Sequence, residues 1–188
     1  MNRVIRILTL TALCVGCSPA SSPYMLATTS ALPTGGELAT VVFLRPGMRP
    51  LDQLVTVVDE RGGLVGLAAA EQYFVAQLEP GHHSFTTWMM DTSDLIEADL
   101  APGRTYYVFL RTYGFGTFGV SSEVLHATGS EHANLARWLR ELTRVERVAE
   151  PALAEAPDRL ARARERFATY DAVHADAHTM RPDDGATN

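Results

Sequence analysis

Tyr73–Trp88 reads YFVAQLEPGHHSFTTW, two apolar-rich runs joined by a Pro-Gly pair. Pro80 pre-sets φ for the second position of a turn, and Gly81 accepts the positive φ that a type II turn needs at its third. The flanks are rich in Tyr, Phe, Val, Thr and Trp, side chains suited to a pleated, half-buried surface. The stretch predicts a β-hairpin, Tyr73–Leu78 against His83–Trp88. The device returns at Ala101-Pro102-Gly103-Arg104, between Leu95–Leu100 and Thr105–Thr112 (TYYVFLRT). In Leu95–Leu100, Ile96, Ala98 and Leu100 take one face, with Glu97 and Asp99 on the other, as in a half-exposed strand.

Other segments read as strands added to these. Leu38–Arg45 (LATVVFLR) is apolar at both parities, the mark of a strand covered on both faces, and Pro46-Gly47 ends it. Leu54–Asp59 is followed by the turn Glu60-Arg61-Gly62-Gly63 and a short run, Leu64–Leu67. Tyr113–Val120 alternates Gly with aromatics, and Ser121–His126 is a candidate last strand. Short strands at regular spacing predict a mainly β fold. The expected form is an antiparallel β-sandwich of prealbumin or Ig type, with about seven strands, followed by one or two C-terminal α-helices.

The period then changes. Thr128 and Glu131 could form a capping box, and Leu135, Trp138, Leu139, Leu142 and Val145 recur at helical spacing, predicting an amphipathic helix over Ser130–Val145. Residues 38–147 therefore read as the sandwich with its docked helix. Residues 148–178 read as a helical extension, interrupted by Pro151 and Pro157 and helical over Asp158–Val173. Residues 179–188 read as a polar, disordered tail.

At the other end, Arg3 and Arg6 precede the apolar stretch Ile7–Val15, too short to span a bilayer and suited to a signal peptide over residues 1–16. The Gly16-Cys17 step resembles a bacterial lipobox, in which Cys17 becomes the lipid-modified first residue. Leu13 stands one place further upstream than the usual pattern, and Cys14 takes its slot. An ordinary signal cut after Ala20 is the alternative. If Cys17 is acylated, no thiol remains for a disulfide, a nucleophile or a metal. Residues 17–37, rich in Ser, Thr, Ala, Pro and Gly, read as a flexible tether. Ser18 rather than Asp after the Cys implies, by resemblance to enterobacterial sorting, the periplasmic face of the outer membrane.

Charge narrows the partners. The sixteen basic residues are all Arg, and the formal net charge is −6. Without residues 1–16, which hold Arg3, Arg6 and no acid, fourteen Arg face twenty-two Asp and Glu, leaving −8. An acidic body without a basic stripe argues against nucleic acid and against electrostatic docking on anionic lipid.

The blocks Ala39–Pro46, Val55–Leu67, Tyr73–Phe85 and Leu100–Leu110 resemble a family of uncharacterised bacterial lipoproteins, a domain of unknown function. The sandwich is similar to PEGA surface domains and to the prealbumin-like domains of carboxypeptidases, where an apolar strand, a Pro-Gly turn and a His-x-apolar strand start recur, as at Leu78, Pro80-Gly81 and His83-Ser84-Phe85. The resemblance covers about residues 39–142. It implies fold and compartment, and no reaction.

Candidate chemistry is sparse. His82 and His83, adjacent on a strand, point to opposite faces and cannot share one ion. His174 and His178, four apart near Asp171 and Asp176, are weak metal candidates without the Glu that follows the first His of a zinc-protease helix, and read better as an exposed helix end. Tyr113, Phe115 and Phe118, set among glycines, are the candidate contact surface for a glycan or partner, although a bulged or edge strand whose aromatics close the sandwich is the favoured reading. Ser121 and Ser122 lack a nucleophile-elbow setting, and the Gly-rich stretch has no phosphate-binding Lys. The expected role is non-enzymatic and without cofactor: an envelope lipoprotein acting as a structural or interaction module, or alternatively a periplasmic binder of glycan or peptidoglycan fragments.

Overall fold

The computed structural model describes residues 22–33, 35–47, 53–115 and 117–187; Cys17 and the signal segment lie outside them, as do the side chains of Phe115 and Thr117. The described chain is mainly β, with two mixed sheets and three α-helices.

The first sheet runs β1 (Met25–Ala27), β10 (Thr143–Arg147), β5 (Gln72–Leu78), β2 (Ala39–Arg45) and β8 (Arg104–Phe115). The far edge of β8 is taken by β12 (Ala186–Thr187) at Arg104–Thr105 and by β9 (Thr117–Val124) at Val108–Phe115. The second sheet runs β11 (Thr179–Met180), β7 (Thr92–Leu100), β6 (Gly81–Met89), β3 (Val55–Val58) and β4 (Leu64–Ala68).

All seven residues of β2 are buried because it lies between β5 and β8 and is covered on both faces. Val41 and Phe43 face the layer between the sheets, where Phe43 stacks on Phe74 at 5.0 Å and meets Phe85 of the second sheet edge-on at 5.3 Å. Val42 and Leu44 join an outer layer with Tyr73, Phe109 and Trp138. The helix α1 (Leu135–Glu141) supplies that cover, with Trp138 stacked on Phe109 at 5.2 Å. Each such side chain contributes about 1.5–3 kcal/mol on burial, before entropy.

Both Pro-Gly turns differ from the sequence expectation. The runs around Pro80-Gly81 are strands, but they belong to different sheets: β5 pairs with β2 over seven residues, and β6 pairs with β7 over nine. Pro102-Gly103 likewise carries the chain from β7 in the second sheet to β8 in the first. These are corners between layers, not hairpins. The positive φ of Gly81 (130°) and Gly103 (67°) turns the chain out of one sheet. Proline, having no N–H, cannot extend the ladder it leaves. The hairpins are β3–β4, β6–β7 and β8–β9.

An all-antiparallel sandwich does not describe the molecule, because β2 with β8, β10 with β5, and β11 with β7 run parallel. Twelve strands replace about seven among the described residues, several of them two or three residues long. The predicted helix over Ser130–Val145 splits into a 3-10 turn (Ser130–Asn134), α1 and the strand β10. Leu142 adopts an extended conformation, and Val145 enters the inter-sheet core. Inside the expected tether, Met25–Ala27 pairs with β10. The predicted helix Asp158–Val173 is two, α2 (Ala156–Phe167) and α3 (Ala172–Ala177), the second capped by the Asp171 carboxylate accepting from the His174 N–H. Over residues 179–187 the expected disordered tail instead forms β11, a 3-10 turn at Pro182–Asp184 and β12.

Candidate functional site

Among the described residues, a cluster of buried polar groups lies where the C-terminal segment meets β7. Asp94 is 1% exposed and His178 is 4% exposed. Asp94 has the parity of Ile96, Ala98 and Leu100, so the alternation that buries those residues also turns its carboxylate inward. Its Oδ2 accepts from the Ser122 N–H at 2.8 Å and from His178 Nε2 at 3.0 Å. Its Oδ1 accepts from the Tyr170 hydroxyl at 2.7 Å and the Leu95 N–H at 3.1 Å. His178 Nδ1 donates to the His174 carbonyl at 2.7 Å, a bond along α3 that turns the ring toward β7. Tyr170 lies against the imidazole with ring centroids 4.8 Å apart, and Arg166 reaches over Tyr170 to donate to the Ser93 carbonyl.

The electrostatics follow from this shell. Burial pushes Asp94 toward the neutral acid, but the bond and charge of His178, the Ser122 N–H and the Tyr170 hydroxyl outweigh it and leave its pKa below the ordinary value. Burial likewise opposes protonation of His178. The Asp94 hydrogen bond and charge and the His174 carbonyl outweigh that, so its pKa is raised. Burial, then the Asp94 bond, raise the Tyr170 phenol. The result is a buried Asp94–His178 pair with all its polar atoms engaged, whose shifts both favour the charged forms. Both imidazole nitrogens are committed, and the nearby Ser122 hydroxyl bonds Thr87 at 2.6 Å rather than the imidazole. The cluster is not arranged as a nucleophile with its base.

The segment is tied down further along. His126 Nδ1 donates to Asp184 at 2.7 Å, and the Tyr106 hydroxyl donates to the Pro182 carbonyl at 3.1 Å. Arg104 donates to the Gly185 carbonyl at 2.7 Å, and a Cβ on Gly185 would meet the Tyr106 ring at 2.7 Å, so only glycine lets the chain lie this close.

The predicted metal pair is pulled apart. His174 is exposed and bonds Asp171 at 2.8 Å, whereas His178 turns inward to Asp94. No group of three or more metal-binding side chains occurs among the described residues. His82 lies on the open face of the β6–β7 pair, between Asp99 at 2.9 Å and Glu97 at 3.2 Å, and its pKa is raised, chiefly by the Asp99 hydrogen bond. His83 bonds the Glu79 carbonyl at 2.8 Å and stacks near Phe85.

The aromatics at the β8–β9 tip do not share one platform. In the register, Tyr113 sits opposite Gly119, and Phe118 opposite Gly114. A Cβ on Gly114 would strike the Phe118 ring at 2.4 Å, and one on Gly119 would strike the Tyr113 hydroxyl at 2.6 Å, so each aromatic lies across a glycine of the other strand. Tyr113 and Phe118 therefore occupy opposite faces; Phe118 packs on the core and Tyr113 stays exposed. The Phe115 side chain lies outside those described.

One surface was not anticipated. β10 pairs with β5 only at Gln72–Tyr73, then leaves to pair with β1. The divergence opens a cleft of about 440 Å³ between the rest of β5 and the edge of β4, lined by Leu64, Ala76, Leu78, Met25, Arg144 and Arg147 among others. Arg147 donates to the Leu64 carbonyl across it, and Arg144 donates to the carbonyls of Ser30 and Ala31. Sequence pattern could not show this cleft, because it depends on where two strands part. The inward parity of Asp94 was the one available signal for the buried pair. In comparisons with known proteins, the chain matches no family model, no curated protein and no solved structure.

Proposed function

We propose that the chain is a lipid-anchored protein of the bacterial envelope, whose β domain serves as a structural or interaction module rather than an enzyme. The observation that carries the reading is the N-terminal pattern: Arg3 and Arg6, the apolar stretch Ile7–Val15, and Gly16-Cys17. The fold sharpens it. With Met25–Ala27 already a strand, the span from Cys17 to Ser22 is five residues, about 17 Å fully extended. The domain would ride close against the lipid rather than on a long tether. No helix among the described residues is long and apolar enough to cross a membrane.

The non-enzymatic part of the reading is supported by the use made of the Asp94–His178 pair, whose hydrogen-bonding capacity is consumed inside the protein. The two-sheet layering is in keeping with a prealbumin-like or PEGA-like ancestry, from which the parallel pairings would be departures. As an interaction module, the domain offers the cleft beside β5, where strand pairing on that side stops at Tyr73 among the described residues.

The test is metabolic labelling with a fatty-acid analogue in a bacterial host, with membrane fractionation. The wild-type chain and Cys14→Ala should take up label and sediment with membranes. Cys17→Ala should lose the label and leave the membrane fraction. Label that survives in Cys17→Ala would refute lipidation at this residue.

A further inference from the structure

The buried pair does more than close a gap. His178 Nδ1 faces a carbonyl, which can only accept, and Nε2 faces a carboxylate oxygen that already accepts the Ser122 N–H. Both nitrogens must donate, and only the imidazolium does so. Loss of that proton would set a bare ring nitrogen against an acceptor in a site closed to water, a costly arrangement. The same residue carries the join to the second sheet. Its carbonyl accepts from the Glu97 N–H at 2.9 Å, and Thr179–Met180 continues beside Glu97–Ala98, with Met180 fully buried.

We propose that residues 174–187 form a latch over the C-terminal half of the β7 edge, closed while His178 is an imidazolium and opened when it loses its proton to solvent. Around His178 stand the Asp94 carboxylate of β7, Glu123 of β9, His174 of α3, Arg166 in the last turn of α2 and Tyr170 in the link between α2 and α3. Glu97 meets it only through its backbone N–H and turns its carboxylate to His82 on the other face. The carboxylates and the His174 carbonyl hold the proton, and the Arg166 guanidinium opposes them. His126, from the loop after β9, faces Asp184 and the Asp176 carbonyl and is a second imidazole under the same segment. Opening uncovers the backbone of β7 beyond Asp94, an edge able to take another strand.

Amide hydrogen exchange on the full-length chain from about pH 6 to about pH 10, corrected for intrinsic exchange, tests the latch. Protection at Glu97, Ala98 and residues 174–187 should fall about tenfold or more as the His178 ring titrates, while Val41–Leu44 of β2 keep theirs. His178→Gln should show the open pattern at every pH. Tyr170→Phe, which leaves the ion pair intact, should keep the pH response. Protection that stays flat while the ring titrates would overturn the latch, as would its loss together with β2. So would a wild-type profile in His178→Gln. The wild-type titration decides the matter even if that variant fails to fold.

Discussion

The layer around Phe43, Phe74 and Phe85 is apolar and drawn from both sheets, whereas the joint between β7 and the C-terminal segment is built on Asp94, His178 and Tyr170. Apolar burial is non-directional and indifferent to pH. A buried ion pair is directional: it stabilises only in one protonation state, and removing either partner strands the other. The same sheets are thus held to each other by one kind of force and to the tail by another, and the two should fail under different conditions.

The largest expected effect is on the apolar side. Phe74→Ala should cost about 3–5 kcal/mol. For a chain of this size that lowers the melting temperature by about 6–20 °C, and the loss should be the same at acid and alkaline pH. A loss that varies strongly with pH would blur the distinction between the two regions.

The joint comes next, read through the stability of the wild-type protein against pH by chemical denaturation. The folded pKa of His178 lies above its ordinary 6.5, so its contribution is complete below about 6.5 and disappears as pH rises through the folded value. The folded pKa of Asp94 lies below its ordinary 3.8, so its contribution is complete above about 3.8 and disappears as pH falls through the folded value. Stability from the pair should therefore be complete between about 3.8 and about 6.5, and decline as pH rises through the folded value of His178 or falls through that of Asp94. Constant stability from pH 6 upward until global alkaline unfolding would count against the pair.

A surface pair sets the bottom of the scale. Arg111 bonds Glu123 at 3.2 Å across β8–β9, but Arg111 is exposed and Glu123 only half-buried. Arg111→Ala should cost less than about 1 kcal/mol, and the cost should shrink further in high salt. Part of even that effect would come from its cation–π contact with Phe109.

The contrast also explains what the sequence could convey. Runs such as ATVVFLR and TYYVFLRT announce strands because Val, Phe and Tyr in those patterns have few other ways to be buried. Which strands pair is another matter. Pro80-Gly81 has hairpin chemistry, yet β5 finds a seven-residue partner in β2, and the turn becomes a corner. Val145 continued a helical stripe in the sequence but folds as a strand residue, since the chain extends at Leu142. The tail was illegible for a physical reason: its polar residues find their partners far away, His178 with Asp94 across 84 positions and Asp184 with His126 across 58. The aromatic tip was half legible. The residues are where expected, but strand parity splits Tyr113 from Phe118, and glycines opposite each explain their placement.

The central claim, that an ion pair and not packing alone fastens the tail, is tested most directly by a double-mutant cycle on Asp94→Asn and His178→Gln at about pH 6.5 and about pH 9.5. At the lower pH each single change should cost about 3 kcal/mol. The pair together should cost clearly less than the sum, giving a coupling that shrinks toward zero at the higher pH. Additive costs at both values would contradict the account.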